Sequence, residues 1–327
     1  MVTFTSLIST VAMFAALMIP GFIMGRSKRI EKGAMATVGN ILSDVAMPAL
    51  VFVKLIKTDV SSLAASDVII SVLLLALLIP ILYFLSRAVF KPREGEREHL
   101  SAIFCSMFSN CGFLGIPLAA ALFPNDPEVT VFVSLANVTS SFFFLTLGMS
   151  ILSEGMDEGG VAAKKKNPIV VLLLRPVTWA VILGVVCSLV GLGERFPQAT
   201  TYFETLSQLT TPLSMTVLGY ELSKMSFRKL LGDARVYTVA AIRLIAAPVI
   251  TLALLLVADL IPGVEVSCYL AFAMLMAAGV STAASTSAMA RSHGIEGSLA
   301  AAATLVNTLL CIITLPLLCL LYGAIFI

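Results

Sequence analysis

The sequence predicts an all-α membrane protein with ten transmembrane helices, arranged as two inverted repeats of five. Of the 327 residues, 59% are hydrophobic and only 12% are charged, and the mean hydropathy is +1.02. A soluble domain of this size has too little interior to hide that much apolar surface. Basic residues cluster between alternate apolar segments, and short motifs recur in the two halves of the chain. These three observations predict the class, the topology and the repeat.

Ten apolar segments meet the requirement of roughly 20 residues for a helix that crosses a bilayer. The first has no small-residue cleavage site before Arg26, so we interpret it as a true span and not as a signal peptide. In order, spans 1 to 10 cover about residues 3–25, 36–57, 66–89, 99–123, 128–152, 168–192, 203–224, 235–259, 266–290 and 298–326. Residues 1–153 form the first repeat, residues 154–167 a cytoplasmic linker, and residues 168–327 the second repeat.

The distribution of Lys and Arg predicts the orientation of the spans. If the N-terminus lies outside, most of the 21 basic residues fall in cytoplasmic loops, and only Lys54, Lys57 and Arg195 fall outside. Cytoplasmic loops carry the excess of basic residues in membrane proteins. We therefore expect a multi-pass protein with both termini outside.

The six cysteines all lie in apolar segments and include no C-x-x-C pair, so we expect neither a disulfide framework nor a metal site. No cofactor motif is present in the sequence. The net charge of +2 arises from the topology signals, and it gives no reason to expect a nucleic-acid partner.

Two pairs of motifs relate the halves of the chain. Leu42-Ser43-x4-Pro48 in span 2 matches Leu206-Ser207-x4-Pro212 in span 7, and Leu135-Ala136-Asn137 in span 5 matches Leu305-Val306-Asn307 in span 10. An odd number of spans per repeat forces the second copy to cross in the opposite direction, as in several transporter folds. Pro48 and Pro212 should bend spans 2 and 7 at matching depths. The alternative is that both prolines are tolerated kinks without symmetry.

Spans 4 and 9 contain the residues that should break a helix in mid-membrane. Ser109–Leu118 in span 4 includes two glycines, an asparagine and a proline, and Gly279–Ser287 in span 9 is a run of hydroxyl residues. Freed backbone groups at this depth need a protein or water-filled cavity to face, and transporters build substrate sites in this way. The alternatives are a kinked packing helix in span 4 and close small-residue packing in span 9.

Polar residues at the two breaks and in spans 5 and 10 lie at a similar depth near the bilayer centre. A helix N-terminus there would suit a carboxylate, and the opposing C-terminal ends would suit a cation. No Asp or Glu lies at the midplane, so neither a proton relay nor a carboxylate-built sodium site is indicated. The predicted substrate-binding residues are Asn110, Cys111, Gly112, Gly115, Pro117, Asn137, Gly279, Ser281, Thr282, Ser285 and Asn307.

Four charged residues enter the cytoplasmic halves of the spans: Asp44, Arg175, Glu221 and Arg243. Charges at membrane depth are unfavourable by roughly 2.5–3.5 kcal/mol each on insertion scales, so we expect them to be paired or hydrated. Asp44 and Arg243 lie at similar depth and are the predicted pair. An internal salt bridge or a snorkelling side chain explains these charges as well as a role in gating does.

Asn110-x4-Gly115-Ile116-Pro117-Leu118 gives the chain a family resemblance. Together with Thr314-Leu315-Pro316-Leu317 and Leu321-Tyr322-Gly323, this motif resembles the auxin efflux carrier family, which includes the plant PIN-FORMED exporters. The resemblance implies a scaffold of spans 1, 2, 6 and 7 and a moving transport domain of spans 3–5 and 8–10. It also implies crossing breaks in spans 4 and 9, elevator-like movement and a homodimer formed through the scaffold spans.

The resemblance also implies roles for individual residues. Asn110 corresponds to an asparagine that contacts the substrate carboxylate, whereas Val51 lies where plant members can have serine. Ser281 and Thr286 stand where the second crossover usually has proline. The short central loop resembles the bacterial branch of the family, which is often associated with malate or malonate, and implies the cytoplasmic membrane of a bacterium.

The leading hypothesis is a secondary carrier of a small organic anion, such as a mono- or dicarboxylate, without a cofactor. A membrane ligand sensor on a transporter fold and an anion channel are the alternatives. An enzyme is not expected, because the sequence has no Walker loop, no H-E-x-x-H motif and no histidine in mid-span.

Overall fold

The structure is a computed structural model that describes residues 4–27, 33–58, 63, 65–92, 96–154, 167–224 and 232–326. These residues form α-helices, short π-helical segments and the connections between them. The α-helices are α1 (Phe4–Arg26), α2 (Ala34–Ile41), α3 (Met47–Lys57), α4 (Ala65–Val89), α5 (Glu98–Met107), α6 (Ile116–Leu122), α7 (Pro127–Phe143), α8 (Met149–Leu152), α9 (Pro168–Leu173), α10 (Pro176–Leu189), α11 (Leu192–Arg195), α12 (Pro197–Ser207), α13 (Thr210–Ser223), α14 (Ala234–Ala241), α15 (Ala247–Asp259), α16 (Cys268–Gly279), α17 (Thr286–Ser292) and α18 (Ser298–Phe326).

Within the described residues, five continuous helical stretches are long and apolar enough to cross a membrane. They are Ala34–Lys57, Ala65–Val89, Pro127–Leu152, Ala234–Asp259 and Ser298–Phe326. Shorter apolar helices cover Ala12–Arg26, Cys111–Leu122, Pro176–Leu189 and Cys268–Gly279. The predicted all-helical class with several apolar helices is therefore confirmed.

The two matching prolines both follow an irregular turn. A π-helical segment, Leu42–Ala46, precedes Pro48, and a turn at Gln208 and Leu209 separates α12 from the helix that contains Pro212. Proline has no N–H to donate and crowds the preceding turn, so the backbone there departs from regular α-helix. The hydroxyl of Thr210 donates to the carbonyl of Ala46 at 2.9 Å and so joins the two irregular turns directly.

Helices from spans 1, 2, 6 and 7 pack mainly on one another. Helix α1 packs most closely on α13, and α3 packs on α10 and α12. A Cβ atom at Gly21 would lie 1.9 Å from the carbonyl oxygen of Thr216, and one at Gly219 would lie 2.0 Å from that of Met18. Only glycine permits this approach, which is how membrane helices associate closely.

The remaining long helices form a second group around the two interrupted segments described below. Helix α7 packs between α4 and α16, and α18 packs against α14, α16 and α5. Phe104 and Phe132 are fully buried in this group. The Tyr322 hydroxyl donates to the Pro248 carbonyl at 2.7 Å, which ties α18 to α15 and satisfies a buried hydroxyl.

Candidate functional site

Two non-helical segments interrupt the chain within spans 4 and 9. The first interruption is Phe108–Asn110, between the end of α5 at Met107 and a π-helical segment, Cys111–Gly115, that continues into α6. The second interruption is Val280–Ser285, between α16 and α17. The sequence predicted a break within Ser109–Leu118, and the interruption includes Ser109 and Asn110 at the start of that stretch. Its glycines and proline lie in the helical segments Cys111–Gly115 and Ile116–Leu122 that follow.

The two interruptions satisfy each other's backbone. The N–H of Asn110 donates to the carbonyl of Ser281 at 2.7 Å, and the N–H of Ala283 donates to the carbonyl of Phe108 at 3.0 Å. Ser109 and Thr282 thereby form an isolated antiparallel bridge. Because lipid offers no hydrogen-bond partner, this mutual pairing is what permits both helices to stop at depth.

Hydrogen bonds of buried side chains stabilise the second interruption. The hydroxyl of Thr282 donates to the Cys105 carbonyl at 3.2 Å, and the Asn307 amide donates to that hydroxyl at 2.5 Å. The Cys311 thiol lies 3.7 Å from the carbonyl of Gly279. Thr282 and Asn307 have no exposed surface. The sequence predicted Gly279, Thr282 and Asn307 as site residues. The structure places all three at or against the second interruption, and the side-chain oxygen of Asn307 has no partner among the described residues.

A cavity of about 140 Å³ lies beside the first interruption. Four of the predicted site residues, Asn110, Gly112, Asn137 and Ser285, are among its lining residues, and so is Arg175. Four other predicted site residues, Cys111, Gly115, Pro117 and Ser281, are buried in the surrounding protein and are not among the lining residues. The remaining lining residues are Phe108, Ser109, Phe113, Ser140, Ser141, Phe144, Ala283 and Ala284.

Asn110 has a buried side-chain donor without a partner in the described part of the chain. Its side chain is only 4% exposed, and its amide nitrogen Nδ2 has no hydrogen-bond partner among the described residues. Its backbone carbonyl accepts from the N–H groups of Leu114 and Gly115, at 2.9 and 3.1 Å, and so starts the following helix. A buried donor without a partner costs about 1–3 kcal/mol, which makes Asn110 the least satisfied polar side chain among the residues that line this cavity.

Gly112 leaves room for the side-chain amide of Asn137 beside the first interruption. A Cβ atom at Gly112 would lie 3.2 Å from the side-chain oxygen of Asn137, which is tighter than ordinary contact. Glycine at this position therefore lets α7 approach the start of the helix at Cys111. Asn110 and Asn137 then line the same cavity from two different helices.

Three other residues on the same helical face as Asn137 line the cavity, and the sequence did not predict them. Ser140, Ser141 and Phe144 follow Asn137 at three, four and seven residues, which is the spacing of one helix face. This spacing would have indicated that these residues share the face of Asn137. The ring of Phe144 packs edge-on against that of Phe108 with centroids 5.2 Å apart, and both rings form an apolar wall of the cavity.

The predicted ion pair between Asp44 and Arg243 is wrong. Arg243 is 2% exposed and donates to backbone carbonyls, whereas Asp44 is exposed and accepts from the hydroxyl of Ser43 at 3.1 Å. Glu221 is half-buried, and none of the ion pairs between described residues includes it.

Comparison with known sequences identifies the family. Residues 6–319 match a family described as membrane transport protein. The chain belongs to this family. It is the auxin efflux carrier family that the motifs resemble, a family of membrane transporters and not of enzymes.

Relatives of the chain carry the same general description. An uncharacterized transporter of Methanothermobacter thermautotrophicus is 25% identical over 323 residues, which cover 94% of this chain and 96% of that protein. The uncharacterized transporter YfdV of Escherichia coli K12 is 21% identical over 215 residues, which cover 64% of this chain and 67% of YfdV. The match to the first relative thus extends over nearly the whole of both chains.

Proposed function

We propose that this membrane transport protein is a secondary carrier of a small organic anion, a mono- or dicarboxylate, that binds in the cavity beside the first interruption. The observation that carries the proposal is that Asn110, a residue that lines this cavity, has a side-chain amide donor without a partner among the described residues. A carboxylate oxygen accepts hydrogen bonds only, so it complements a buried donor that the protein leaves free.

The charge of the cavity favours an anion over a cation. Arg175 lines it, and none of its lining residues is Asp or Glu. The helical stretch Cys111–Leu122 begins next to Asn110, and the N-terminal end of a helix carries unpaired N–H groups and partial positive charge. Asn110, Arg175 and this helix start would therefore stabilise the same carboxylate.

The size of the cavity suits a small molecule. Its volume of about 140 Å³ is close to that of an apolar protein cavity of roughly 150 Å³ that admits benzene, a molecule of six non-hydrogen atoms. A short carboxylate has a similar number of atoms. The hydroxyls of Ser140, Ser141 and Ser285 would contact its polar groups, and the Phe108 and Phe144 rings its carbon atoms.

We further propose that the carrier has ten spans in a five-plus-five inverted repeat with both termini outside a bacterial cytoplasmic membrane. The Thr210–Ala46 hydrogen bond supports the repeat, because its partners are separated by 164 residues, as are Pro48 and Pro212. The separate packing of α1, α3, α10, α12 and α13 supports a scaffold of spans 1, 2, 6 and 7. Elevator-like movement of spans 3–5 and 8–10, with crossing breaks and a homodimer through the scaffold, completes the proposal.

Transport in reconstituted liposomes tests the proposal. We expect purified protein to take up radiolabelled malonate or malate with saturating kinetics and to accelerate uptake when the same anion is loaded inside. Asn110→Ala should abolish most of this uptake, and Asn40→Ala, which makes the same chemical change at an exposed position, should not.

Three results would contradict the carrier proposal. Uptake that does not saturate and shows no counter-exchange would indicate a channel. Binding of the anion without any flux would indicate a sensor. Equal uptake by wild type and Asn110→Ala would remove the site from the cavity beside the first interruption.

A further inference from the structure

The side chain of Arg243 reaches the C-terminal ends of both interrupted helices. Arg243 lies in the π-helical segment Ile242–Ala246 and is 2% exposed. One terminal nitrogen donates to the carbonyls of Met107 and Ser106 at 3.1 and 3.4 Å, at the end of α5. The other donates to the carbonyl of Ala278 at 2.5 Å, at the end of α16. The guanidinium group therefore bridges two helix ends that the sequence places about 170 residues apart.

These carbonyls lose their usual partners at the interruptions. In a continuous helix the carbonyl of Ser106 would accept from the N–H of Asn110, which instead donates to Ser281. A helix C-terminus exposes such unpaired carbonyls and carries partial negative charge. Two such ends meet at Arg243, so an unneutralised arrangement would be electrostatically unfavourable in a low-dielectric interior.

The partners of Arg243 are backbone groups and not acids. None of the ion pairs between described residues includes Arg243. A buried unpaired charge is strongly unfavourable, so the two helix ends take the place of a carboxylate. The planar guanidinium with several fixed donors can serve carbonyls from two directions at once. In other transporters, exposed helix C-termini of this kind coordinate a bound cation.

We propose that Arg243 is a resident cation that neutralises the two helix C-termini, holds the two interruptions together, and takes the place of a bound metal cation. It is a positioning residue, because it acts on the cavity only through the backbone of α5 and α16. This inference does not depend on which anion the cavity binds, and its test needs no transport measurement.

The test is the thermal stability of purified protein in detergent at constant ionic strength. Wild type should melt at the same temperature in sodium, potassium and N-methylglucamine salts. Arg243→Ala should melt more than about 5 °C lower, because it leaves several buried carbonyls without a donor. Millimolar methylguanidinium should restore part of that loss, whereas the neutral analogue methylurea should not.

Matched variants separate charge from simple packing. Arg195→Ala, an exposed arginine at the end of α11, should behave as wild type in every salt. If Arg243→Ala does not fold, Arg243→Lys and Arg243→Met decide the matter, because both fill space but only lysine keeps the charge. Lysine should be the more stable.

Two results would overturn the proposal. A methionine variant as stable as the lysine variant, or methylurea rescue equal to methylguanidinium rescue, would show that the site needs volume and not charge. Sodium-specific stabilisation of wild type would show that a metal cation still binds.

Discussion

The two ends of the paired interruptions differ in what occupies them. At the C-terminal ends of α5 and α16, the terminal nitrogens of Arg243 donate to carbonyls of both helices, although its Nε has no partner among the described residues. On the side where the next helix begins, a cavity of about 140 Å³ is lined by Asn110, whose amide nitrogen has no partner among the described residues. The same backbone feature, an interrupted helix, thus has free carbonyls bonded by a buried arginine at one end and a polar cavity beside the other end.

This difference indicates which charge the ligand supplies. Helix C-termini need positive charge, and the protein provides it covalently through Arg243. The start of the helix at Cys111 needs negative charge, and no acidic residue lines the adjacent cavity. A small soluble anion would supply this charge, which is the physical basis of the proposed function.

The largest expected difference in melting temperature is between variants at Arg243 and at Asn110. Arg243→Met should lower the melting temperature by more than about 5 °C, because buried carbonyls lose their donors at about 1–3 kcal/mol each. Asn110→Ala should change it by less than about 2 °C, because it removes a donor that has no protein partner. Equal decreases in melting temperature in a thermal unfolding experiment would mean that Asn110, like Arg243, has a structural role.

The second largest effect on stability is expected for Asn307, whose amide donates to Thr282 in the second interruption. Asn307→Ala should lower stability by about 1–3 kcal/mol, because the Thr282 hydroxyl loses its buried donor. Asn40→Ala, on the exposed side of α2, is the matched control and should have almost no effect. If Asn307→Ala instead keeps full stability and loses anion binding, Asn307 belongs to the substrate site, as the sequence first suggested.

Arg175 should have a smaller effect that depends on the charge of the ligand. It is exposed, so its interaction with an anion should contribute only about 0.5–1 kcal/mol. Arg175→Gln should weaken binding of the dianion malonate more than binding of acetate, and Arg175→Lys should restore the difference. Equal weakening of both ligands in a binding titration would argue that Arg175 shapes the cavity and does not interact with charge.

The smallest effect on anion affinity is expected for Gly115 and Pro117, the helix-breaking residues of span 4. The double variant Gly115→Ala with Pro117→Ala should retain anion affinity within about twofold, because both positions already lie in helix. A Cβ atom at Gly115 would meet its neighbours only at ordinary contact distance, 3.5 Å. Loss of binding in the double variant, with its melting temperature unchanged, would show that the glycine and proline control the break after all.

The sequence predicted the all-helical class and helix-breaking residues in Ser109–Leu118 and Gly279–Ser287, and the interruptions overlap both segments. Four of the predicted site residues, Asn110, Gly112, Asn137 and Ser285, line the cavity. Composition and local helix-breaking residues contain that information. The partners of Arg243 were not predictable in this way, because every residue has a carbonyl and only the tertiary fold selects which ones become free. For the same reason the sequence did not predict that the Asn307 amide donates to the hydroxyl of Thr282.

The most direct test of the account is a calorimetric titration of purified protein with acetate, malonate, succinate and malate. For the carboxylate that binds most tightly, Asn110→Ala should weaken affinity by about 1–3 kcal/mol, or roughly five- to 150-fold, while Asn40→Ala leaves it unchanged. Unchanged affinity in Asn110→Ala, with the protein folded and the wild type binding, would contradict the claim that the open end of the interruptions is the anion site.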